Sequence, residues 1–268
     1  MDDSALQEAY TLAQGLAQSA TEMIREAQGH APGAHTKRDA ADWVTETDVQ
    51  VERYVRARLL EVFPNHCVVG EEQGASGDSG DATAPTWFLD PIDGTANFVH
   101  GLPWFSFSLG LVVEGEPVLG VVMDPARGEL FHARHGTGAF VGETPISTTR
   151  EPGVTGHLVL TELAGDIAWA GMRALVPWLG EQHAVLRIMG SSALSLVAVA
   201  TGRGAAIALH HFQPWDVAAG TVICREAGLA VVDRHGRETG VPEGGLIAGH
   251  AETVAQLWDT IRQLDSGE

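Results

Sequence analysis

Apolar residues recur at helical spacing in two segments near the beginning of the chain. Between residues 4 and 28 they fall on one helical face, and the same spacing returns in VQVERYVRARLLEVF, which starts at Val49. A stretch rich in Gly, Pro and His, residues 29–35, separates the two segments. The pattern predicts two amphipathic helices, the second with Thr45 or Thr47 near its N-cap and Pro64 beyond its end.

Short apolar runs and alternating segments predict strands in the rest of the chain. HCVVG and TWFLD are typical of buried strands, QGASGDSGDATAP between them of a polar loop, and the alternation from Phe105 to Val141 of a β-meander. Strand and helix signals then alternate. The predicted strands are HLVLTEL, AVLRIM, GAAIALH, LAVVD and GLIAGH, and the predicted helices are 166–178, SSALSLVAVATG, WDVAAGTVICREAG and 251–264. Helix pairs flanking a meander, followed by alternating β/α units, predict layered α/β sheets covered by helices.

No internal repeat or interdomain linker is visible in the 268 residues. We therefore expect a single unit over 1–268, in which 1–145 holds the helix pair and the meander and 146–268 holds the alternating α/β half.

The charge of the chain limits its partners. The 35 acidic and 16 basic residues give a formal net charge of −19, which repels nucleic acid and anionic membranes. The N-terminus does not resemble a signal peptide, and no apolar run approaches the ~18 residues of a membrane span. The two cysteines lie in apolar segments, so we expect no disulfide framework and a cytoplasmic protein. Lys37 is the only lysine, in a chain with a general bias toward arginine.

Five acidic residues share one kind of position, at the end of a predicted strand or the start of a predicted helix. They are Asp48, Glu71, Asp90, Asp93 and Asp216. Such ends are where α/β sheets bring ligand groups together. Carboxylates that meet without lysines raise one another's pKa unless a divalent cation neutralises them, and oxygen-only ligands favour Mg²⁺. The sequence thus indicates a magnesium site.

The segment WFLDPIDGTANFVHG gives this interpretation local detail. Pro91 is expected to stiffen a turn that points Asp90 and Asp93 to the same side, where the Ile92 carbonyl can join them. Gly94 permits close backbone approach, and Thr95 begins a possible helix whose free N–H groups would receive an anion. Two metals about 3.5–4 Å apart would clamp a phosphate ester and lower the pKa of a bound water.

Each of these features has a structural alternative when it is taken alone. Asp48 or Asp216 can serve simply as a helix N-cap, GEE at 70–72 as a solvated turn, and DPIDG as an ordinary β-turn. Only the combination favours a metal site.

Three motifs together resemble the inositol monophosphatase family over nearly the whole chain. They are WFLDPIDGTANFVHGLPWFSFSLGL preceded by GEE, WDVAAGTVICREAGL at 215–229, and KRDAADWVTETD at 37–48. The resemblance implies an αβαβα five-layer sandwich of the inositol monophosphatase and fructose-1,6-bisphosphatase type. It also implies Mg²⁺-dependent, lithium-sensitive hydrolysis of a phosphate monoester by a metal-activated water, and a homodimer.

The resemblance also assigns roles by motif. Glu71, Asp90 and the Ile92 carbonyl match ligands of a first metal, and Asp90, Asp93 and Asp216 those of a second, with a weaker third ion near Glu71. Asp48 and Thr95 match the pair that orients and deprotonates the attacking water, so Asp48, Thr95 and Glu71 are the predicted catalytic residues. The predicted phosphate- and substrate-binding residues are Lys37, Gly94, Thr95, Arg187, Gly190, Ser191 and His210.

The substrate stays open at this stage. Inositol-preferring members of the family usually carry Glu seven residues before the WD aspartate, where this chain has Leu209. His210 and His211 can supply polar contacts there or lie on the surface, and Ser191 can contact substrate or cap a helix. Inositol 1-phosphate is the first expectation. Histidinol phosphate, other sugar phosphates and, less favoured, a phosphorylated nucleotide are the rivals. A regulatory or assembly protein that retains the fold is the alternative from another class.

Overall fold

Five layers stack in the order helix, sheet, helix, sheet, helix. The structure is a computed structural model, and it describes residues 1–38, 40–77, 83–147, 151–163, 168–169 and 171–265. The seven helices of this described part are α1 Asp3–Ala27, α2 Glu46–Val62, α3 Thr95–His100, α4 Met172–Glu181, α5 Ser192–Ala200, α6 Pro214–Glu226 and α7 Ala251–Asp265.

The first sheet has eight strands and carries the meander. In chain order its strands are β3 Cys67–Gly70, β4 Gly74–Gly77, β5 Thr86–Asp93, β6 Ser106–Val113, β7 Glu116–Asp124, β8 Glu129–Arg134, β9 Ala139–Val141 and β10 Thr144–Pro145. Their spatial order is β10-β9-β8-β7-β6-β5-β3-β4, and only β3 and β5 run parallel. A small hairpin, β1 His35–Thr36 and β2 Trp43–Val44, precedes it.

The second sheet has five strands. They are β11 Leu158–Thr161, β12 Val185–Ile188, β13 Ala206–Leu209, β14 Ala230–Asp233 and β15 Leu246–Gly249. Their spatial order is β12-β11-β13-β15-β14. Strands β12, β11 and β13 are parallel, so their carboxyl ends lie at one edge of the sheet.

Three apolar clusters define the layers. The first joins α1 and α2 to the eight-stranded sheet, with Trp87 and Leu109 fully buried in it. The second holds α5 and α6 between the two sheets, and the third packs α4 and α7 on the outer face of the five-stranded sheet. Because alternate strand residues face opposite clusters, the small sheet is apolar on both faces. The predicted five-layer sandwich is confirmed.

Three local predictions need correction. The segment 73–85 was expected to be a loop, but Gly74–Gly77 forms β4, because its backbone pairs antiparallel with β3; residues 78–82 lie outside the described part. The helix expected over 166–178 begins at Met172 and ends at Glu181. Gly171, just before it, packs on the Trp169 ring, where a Cβ would lie 2.6 Å from the indole; residues 166, 167 and 170 are not among the described ones. Of the two residues predicted near the N-cap of α2, Thr45 is the one that caps the helix.

The third correction concerns the segment that carries two of the candidate ligands. Strand β5 does not stop at Asp90 but continues to Asp93 through a β-bulge, since Asp90 pairs with Ser108 and Asp93 with Ser106. In a regular strand, residues three apart face opposite sides. The extra residue of the bulge changes this alternation. A bulge, and not a turn at Pro91, therefore sets the directions of the two acids.

Candidate metal and phosphate site

Four elements deliver the five candidate carboxylates to one place. Glu71 follows β3, Asp90 and Asp93 end β5, Asp48 lies in the first turn of α2, and Asp216 lies in the first turn of α6. Strands β3 and β5 are parallel neighbours, and the Glu71 N–H donates to the Leu89 carbonyl at 3.2 Å, which fixes Glu71 beside the end of β5.

Burial and mutual repulsion raise the pKa of three of these carboxyls, those of Asp90, Asp93 and Asp216. Burial is the largest cause for Asp90, whose pKa lies well above its usual range, and the charges of Glu71, Asp93 and Asp216 raise it further. Burial also raises the pKa of Asp216 well above its usual range, and that of Asp93 to about 6 against the hydrogen bonds that Asp93 accepts. The carboxyls are thus close enough to oppose one another's ionisation, which is the situation that a bound cation relieves.

Asp90 provides the test of whether a cation fits. Its Oδ1 atom is buried and accepts no hydrogen bond from the residues that the structure describes. A buried carboxylate oxygen without a donor is unfavourable by about 1–3 kcal/mol or more unless another positive group reaches it. The neighbouring groups that could bind a cation are carboxylates and the Ile92 carbonyl. All of them offer oxygen atoms, which fits the hard cation Mg²⁺.

The other carboxylates are at present held by protein groups. Asp216 Oδ2 accepts the Gln213 N–H at 2.7 Å, and Asp93 accepts the Ala193 N–H at 2.8 Å and the Ser191 hydroxyl at 2.5 Å. In the described part of the chain, no group of three or more His, Cys, Asp and Glu side chains is arranged as a complete metal site. Holding Mg²⁺ therefore requires some of these carboxylates to exchange a protein hydrogen bond for the ion.

A hydroxyl and a carboxylate meet beside this group. Thr95 Oγ1 lies 3.2 Å from Asp48 Oδ1 and 2.8 Å from the Ile92 carbonyl. Asp48 is fully buried, and burial raises its pKa to about 6 although hydrogen bonds from Thr45 oppose the shift. With both neighbours acting as acceptors, the Thr95 hydrogen points to the protein and the oxygen lone pairs are free to accept a hydrogen bond from water.

Lys37 lies at the edge of the carboxylate group. Its Nζ atom donates to Glu71 Oε1 at 2.8 Å and to Glu72 Oε1 at 2.9 Å. Burial alone would lower the Lys37 pKa, but these two carboxylates raise it above its usual range. Burial raises the pKa of Glu72 to about 7, an effect that outweighs the neighbouring ammonium. Lys37 is thus a fixed positive charge in contact with the candidate ligand Glu71.

The turn at Gly94 packs against the loop before α5. Gly94 has φ +90°, and a Cβ there would lie 2.7 Å from the Gly190 carbonyl oxygen. Asn97 Nδ2 donates to the Met189 and Trp104 carbonyls at 2.7 Å each, and Ser191 caps α5 by accepting the Leu194 N–H. The structure therefore brings Gly94, Thr95, Gly190 and Ser191 together around Asp93.

Comparisons with known proteins identify the family of the chain. The sequence model described as "Inositol monophosphatase family" matches residues 5–264. Human inositol monophosphatase 2 is 36% identical over 257 residues, covering 94% of this chain and 89% of the human protein. The chain belongs to the inositol monophosphatase family.

Solved structures extend the likeness to the fold. The Thermotoga maritima IMPase matches with a TM-score of 0.84 at 29% identity, covering 97% of this chain and 98% of the other. SaIMPase-II with inositol monophosphate bound matches with a TM-score of 0.79 at 28% identity, covering 94% of this chain and 92% of the other. SaIMPase-II with 2'AMP bound matches with a TM-score of 0.80 at 28% identity, covering 97% and 96%.

Membership in the inositol monophosphatase family makes this protein a phosphoric monoester hydrolase, in a family that is generally Mg²⁺-dependent. Among the helices of the described residues, none has the length and apolar character needed to cross a membrane.

Two predicted substrate residues of this family member belong to the five-stranded sheet and the segment that follows it. Arg187 is exposed on the edge strand β12, where it donates to the Leu186 carbonyl at 2.9 Å. His210 stacks on Trp169 with ring centroids 5.7 Å apart, and Leu209 is 4% exposed at the end of β13. Their roles in binding substrate remain predictions.

Sequence reasoning missed two buried acids that hold the site. Glu52 accepts the Glu72 and Gln73 N–H groups at 2.8 and 2.9 Å and pairs with Arg56 at 2.6 Å, and so fixes the turn that carries Glu71. Glu162 accepts the Gly190 N–H at 2.6 Å. The signal for Glu52 was an acid four residues after Asp48 and four before Arg56, between the apolar Val51 and Val55.

Proposed function

We propose that this protein is a Mg²⁺-dependent phosphatase that hydrolyses inositol 1-phosphate (myo-inositol monophosphate). The observation that carries the proposal is the contact of Thr95 Oγ1 with Asp48 Oδ1 beside the buried carboxylates of Asp90 and Asp93. The likeness to human inositol monophosphatase 2 and to SaIMPase-II with inositol monophosphate bound supports this substrate.

Two or three Mg²⁺ ions would be held by Glu71, Asp90, the Ile92 carbonyl, Asp93 and Asp216. The unsatisfied Asp90 Oδ1 and the oxygen-only donor set support this assignment. Bound there, the ions would neutralise the ester phosphate and lower the pKa of a water.

Asp48 and Thr95 act on the nucleophilic water, together with Glu71. The water donates a hydrogen to Thr95 Oγ1, and Asp48 Oδ1, 3.2 Å away, takes the Thr95 proton. The water oxygen bonds to phosphorus while the P–O bond to the alcohol breaks, and the leaving alkoxide takes a proton from solvent. The products are the free alcohol and inorganic phosphate. The burial that raises the Asp48 pKa to about 6 makes this carboxylate a better base than a solvent-exposed aspartate.

The phosphate and the alcohol have separate groups of contacts in this proposal. The backbone N–H groups of Gly94 and Thr95 hold phosphate oxygens, and Lys37 supplies a positive charge beside Glu71. The alcohol part is bound by Gly190 and Ser191, with Arg187 and His210 further along the same sheet edge.

The assembly we propose is a cytoplasmic homodimer of single catalytic units spanning 1–268, with no nucleic-acid or membrane partner. Strand β12 is an edge strand of the small sheet, with Val185 40% and Ile188 47% exposed. An apolar edge of this kind is normally covered in solution, and a second copy of the chain is the occupant we propose. The net charge of −19 is unfavourable for an anionic partner.

The alternative function is a histidinol-phosphate or broad-specificity sugar phosphatase. Leu209 favours this alternative, because it stands where inositol-preferring members usually carry Glu. An apolar residue that is 4% exposed cannot hydrogen-bond to inositol hydroxyls. The 2'AMP bound in SaIMPase-II is consistent with a broader substrate range in a relative.

The test is a phosphate-release panel over inositol 1-phosphate, histidinol phosphate, fructose 1,6-bisphosphate and 2'-AMP, with Mg²⁺, with EDTA and with added Li⁺. We expect Mg²⁺-dependent, Li⁺-inhibited release that is fastest with inositol 1-phosphate. Faster turnover of another ester would change the substrate and keep the mechanism. No metal-dependent release from any ester would refute the proposal, and an Asp90→Asn protein that still supports a cellular phenotype would favour a regulatory protein.

A further inference from the structure

A cavity of about 520 Å³ lies between the five-stranded sheet and α7. Ala208, Leu246 and Ile247 contribute strand residues to it, and α7 contributes Trp258 and Ile261. None of the five candidate metal ligands is among its described lining residues. Its volume is in the range of small-molecule sites, roughly 300–1,000 Å³.

Flat side chains form part of the cavity wall. The Trp169 and His210 rings are stacked nearly parallel, with an interplanar angle of 10°. Trp258 supports the turn after β14, because a Cβ on Gly236 would lie 2.7 Å from its indole ring. Two indole rings therefore line one cavity, and a planar ligand gains the most contact from such surfaces.

The charge of the lining is the reverse of the charge of the chain. The protein has a net charge of −19, yet the described lining contains Arg234, Arg262, His210 and His235 and no carboxylate. A locally positive cavity in an acidic protein selects for an anion.

Arg234 is the cation best placed to meet a ligand. Among the described residues it has no carboxylate within ion-pair distance, and its Nε donates to His235 Nε2 at 3.2 Å. Gly244 and Gly245 lie against it, since a Cβ on Gly245 would come within 2.8 Å of the Arg234 Cβ. Arg262, in contrast, lies 4.7 Å over the Trp258 ring and 3.5 Å from Asp259. Arg234 is itself exposed, so its charge is accessible to a ligand that enters from solvent.

We propose that this cavity binds a small planar molecule that carries an anionic group. The ring of the ligand packs on Trp169 and Trp258, and its anionic group pairs with Arg234 in a charge-assisted hydrogen bond. Aromatic carboxylates and nucleotides share this chemistry. Leu209 and His210 also line this cavity, so it adjoins the alcohol end of the proposed substrate site. Its occupancy is therefore measured by direct binding in EDTA, which does not depend on turnover.

The experiment is isothermal titration calorimetry of the full chain in EDTA with matched probes. Indole-3-carboxylate is compared with indole, and 3',5'-cyclic AMP with adenosine. The cyclic nucleotide is a phosphodiester and therefore not an ester of the class that the proposed reaction consumes. We expect one or both anionic probes to bind at one site per chain and their neutral partners to bind at least about tenfold more weakly, equivalent to about 1.4 kcal/mol. Binding of indole-3-carboxylate would identify an aromatic carboxylate as the class of ligand, and binding of cyclic AMP would identify a nucleotide.

Variants locate the binding. Arg234→Gln should weaken the anionic probe about tenfold, and Trp258→Phe should weaken it while keeping a ring against Gly236. Arg58→Gln, on α2, makes the same charge change away from the cavity and should leave binding unchanged. Circular dichroism and thermal unfolding show whether each variant is folded. The proposal is overturned if neither anionic probe binds the folded wild type at millimolar concentration, or if binding is insensitive to both cavity variants.

Discussion

The Glu162 carboxylate and the Gly190 backbone N–H are joined by a 2.6 Å hydrogen bond between the ends of two neighbouring parallel strands. The other carboxylate oxygen accepts the Ser195 hydroxyl at 2.9 Å. The loop before α5 is thereby tied to β11 at the point where Ser191 and the Ala193 N–H bind Asp93. Among the described residues Glu162 hydrogen-bonds to no candidate metal ligand, so it acts on Asp93 through this loop as a positioning residue.

The first prediction follows from this bond. Glu162→Leu leaves the Gly190 N–H and the Ser195 hydroxyl without their buried acceptor, so we expect a loss of about 1–3 kcal/mol in unfolding free energy. We also expect a lower kcat and a higher Mg²⁺ requirement, with a smaller change in KM. Urea unfolding and Mg²⁺ titration of phosphate release measure these.

Glu162→Gln is the matched control for that substitution. Its amide oxygen can accept the Gly190 N–H while its NH₂ donates to Ser195 Oγ, so most of the activity and stability should return. Equal damage by both substitutions would mean that the charge or the exact shape of Glu162 matters, and not the bond to the loop.

The second prediction concerns pH. Burial raises the pKa of Glu162 from 4.5 to about 7, against the hydrogen bonds that it accepts. Between these values the folded state binds more protons than the unfolded state, so this group makes unfolding free energy fall as pH rises through the window, by at most about 1.4 kcal/mol per pH unit. Glu162→Gln removes that contribution. The difference in unfolding free energy, variant minus wild type, should therefore increase from about pH 5 to pH 7 and then level off. Urea unfolding in EDTA across this range checks it, and a pH-independent difference would contradict it.

The third prediction concerns the buried pair of Glu52 and Arg56. Glu52 is fully buried and Arg56 is 8% exposed, so Glu52→Gln leaves a guanidinium without its counter-charge and should lower unfolding free energy by about 3–5 kcal/mol. It should also weaken Mg²⁺ activation, because Glu52 holds the turn of Glu71.

The exposed pair on the same helix is its control. Arg58 and Glu61 have 45% and 64% exposed side chains, and Glu61→Gln should change unfolding free energy by less than about 1 kcal/mol. If the two substitutions had similar effects, the Glu52 carboxylate would not be the anchor of the turn.

The fourth prediction uses two glycines in the left-handed region. Gly94 has φ +90° and no room for a Cβ beside the Gly190 oxygen, whereas Gly101 has φ +72° and open space around it. Gly101→Ala should lower the unfolding free energy by about 1–2 kcal/mol, the cost of placing a residue with a Cβ in the left-handed region, and should leave activity normal. Gly94→Ala should lose more stability and at least about 100-fold in kcat, the scale of removing one well-placed donor. Thermal unfolding and steady-state kinetics compare them, and a fully active Gly94→Ala protein would contradict the role of this turn.

The spacing of apolar residues predicted most helices and strands. Most of what it missed depends on contacts between residues that are far apart in the sequence. Apolar periodicity correctly predicted α2 and the meander, because the apolar residues at these spacings are the ones that are buried. Gly74–Gly77 carries no apolar signal, because β4 pairs through its backbone alone. The bulge after Asp90 depends on how β5 pairs with β6, which the order of residues does not state. Five acids of the candidate site, four metal ligands and Asp48, were visible at the ends of predicted elements. Glu162 was not, because its meaning comes from Gly190, 28 residues away.

The last prediction tests the cation at Asp90. Asp90→Asn removes a carboxyl whose pKa burial and the charges of Glu71 and Asp93 raise well above its usual range, so without metal the variant should be more stable than wild type near pH 7. It should lose the increase in Tm that Mg²⁺ gives wild type, and kcat should fall by at least about 100-fold. Thermal unfolding with Mg²⁺ and with EDTA, beside phosphate release, measures all three. Asp259→Asn, on the exposed side of α7, is the control and should behave as wild type. An Asp90→Asn protein that still gains stability from Mg²⁺ would place the ion elsewhere.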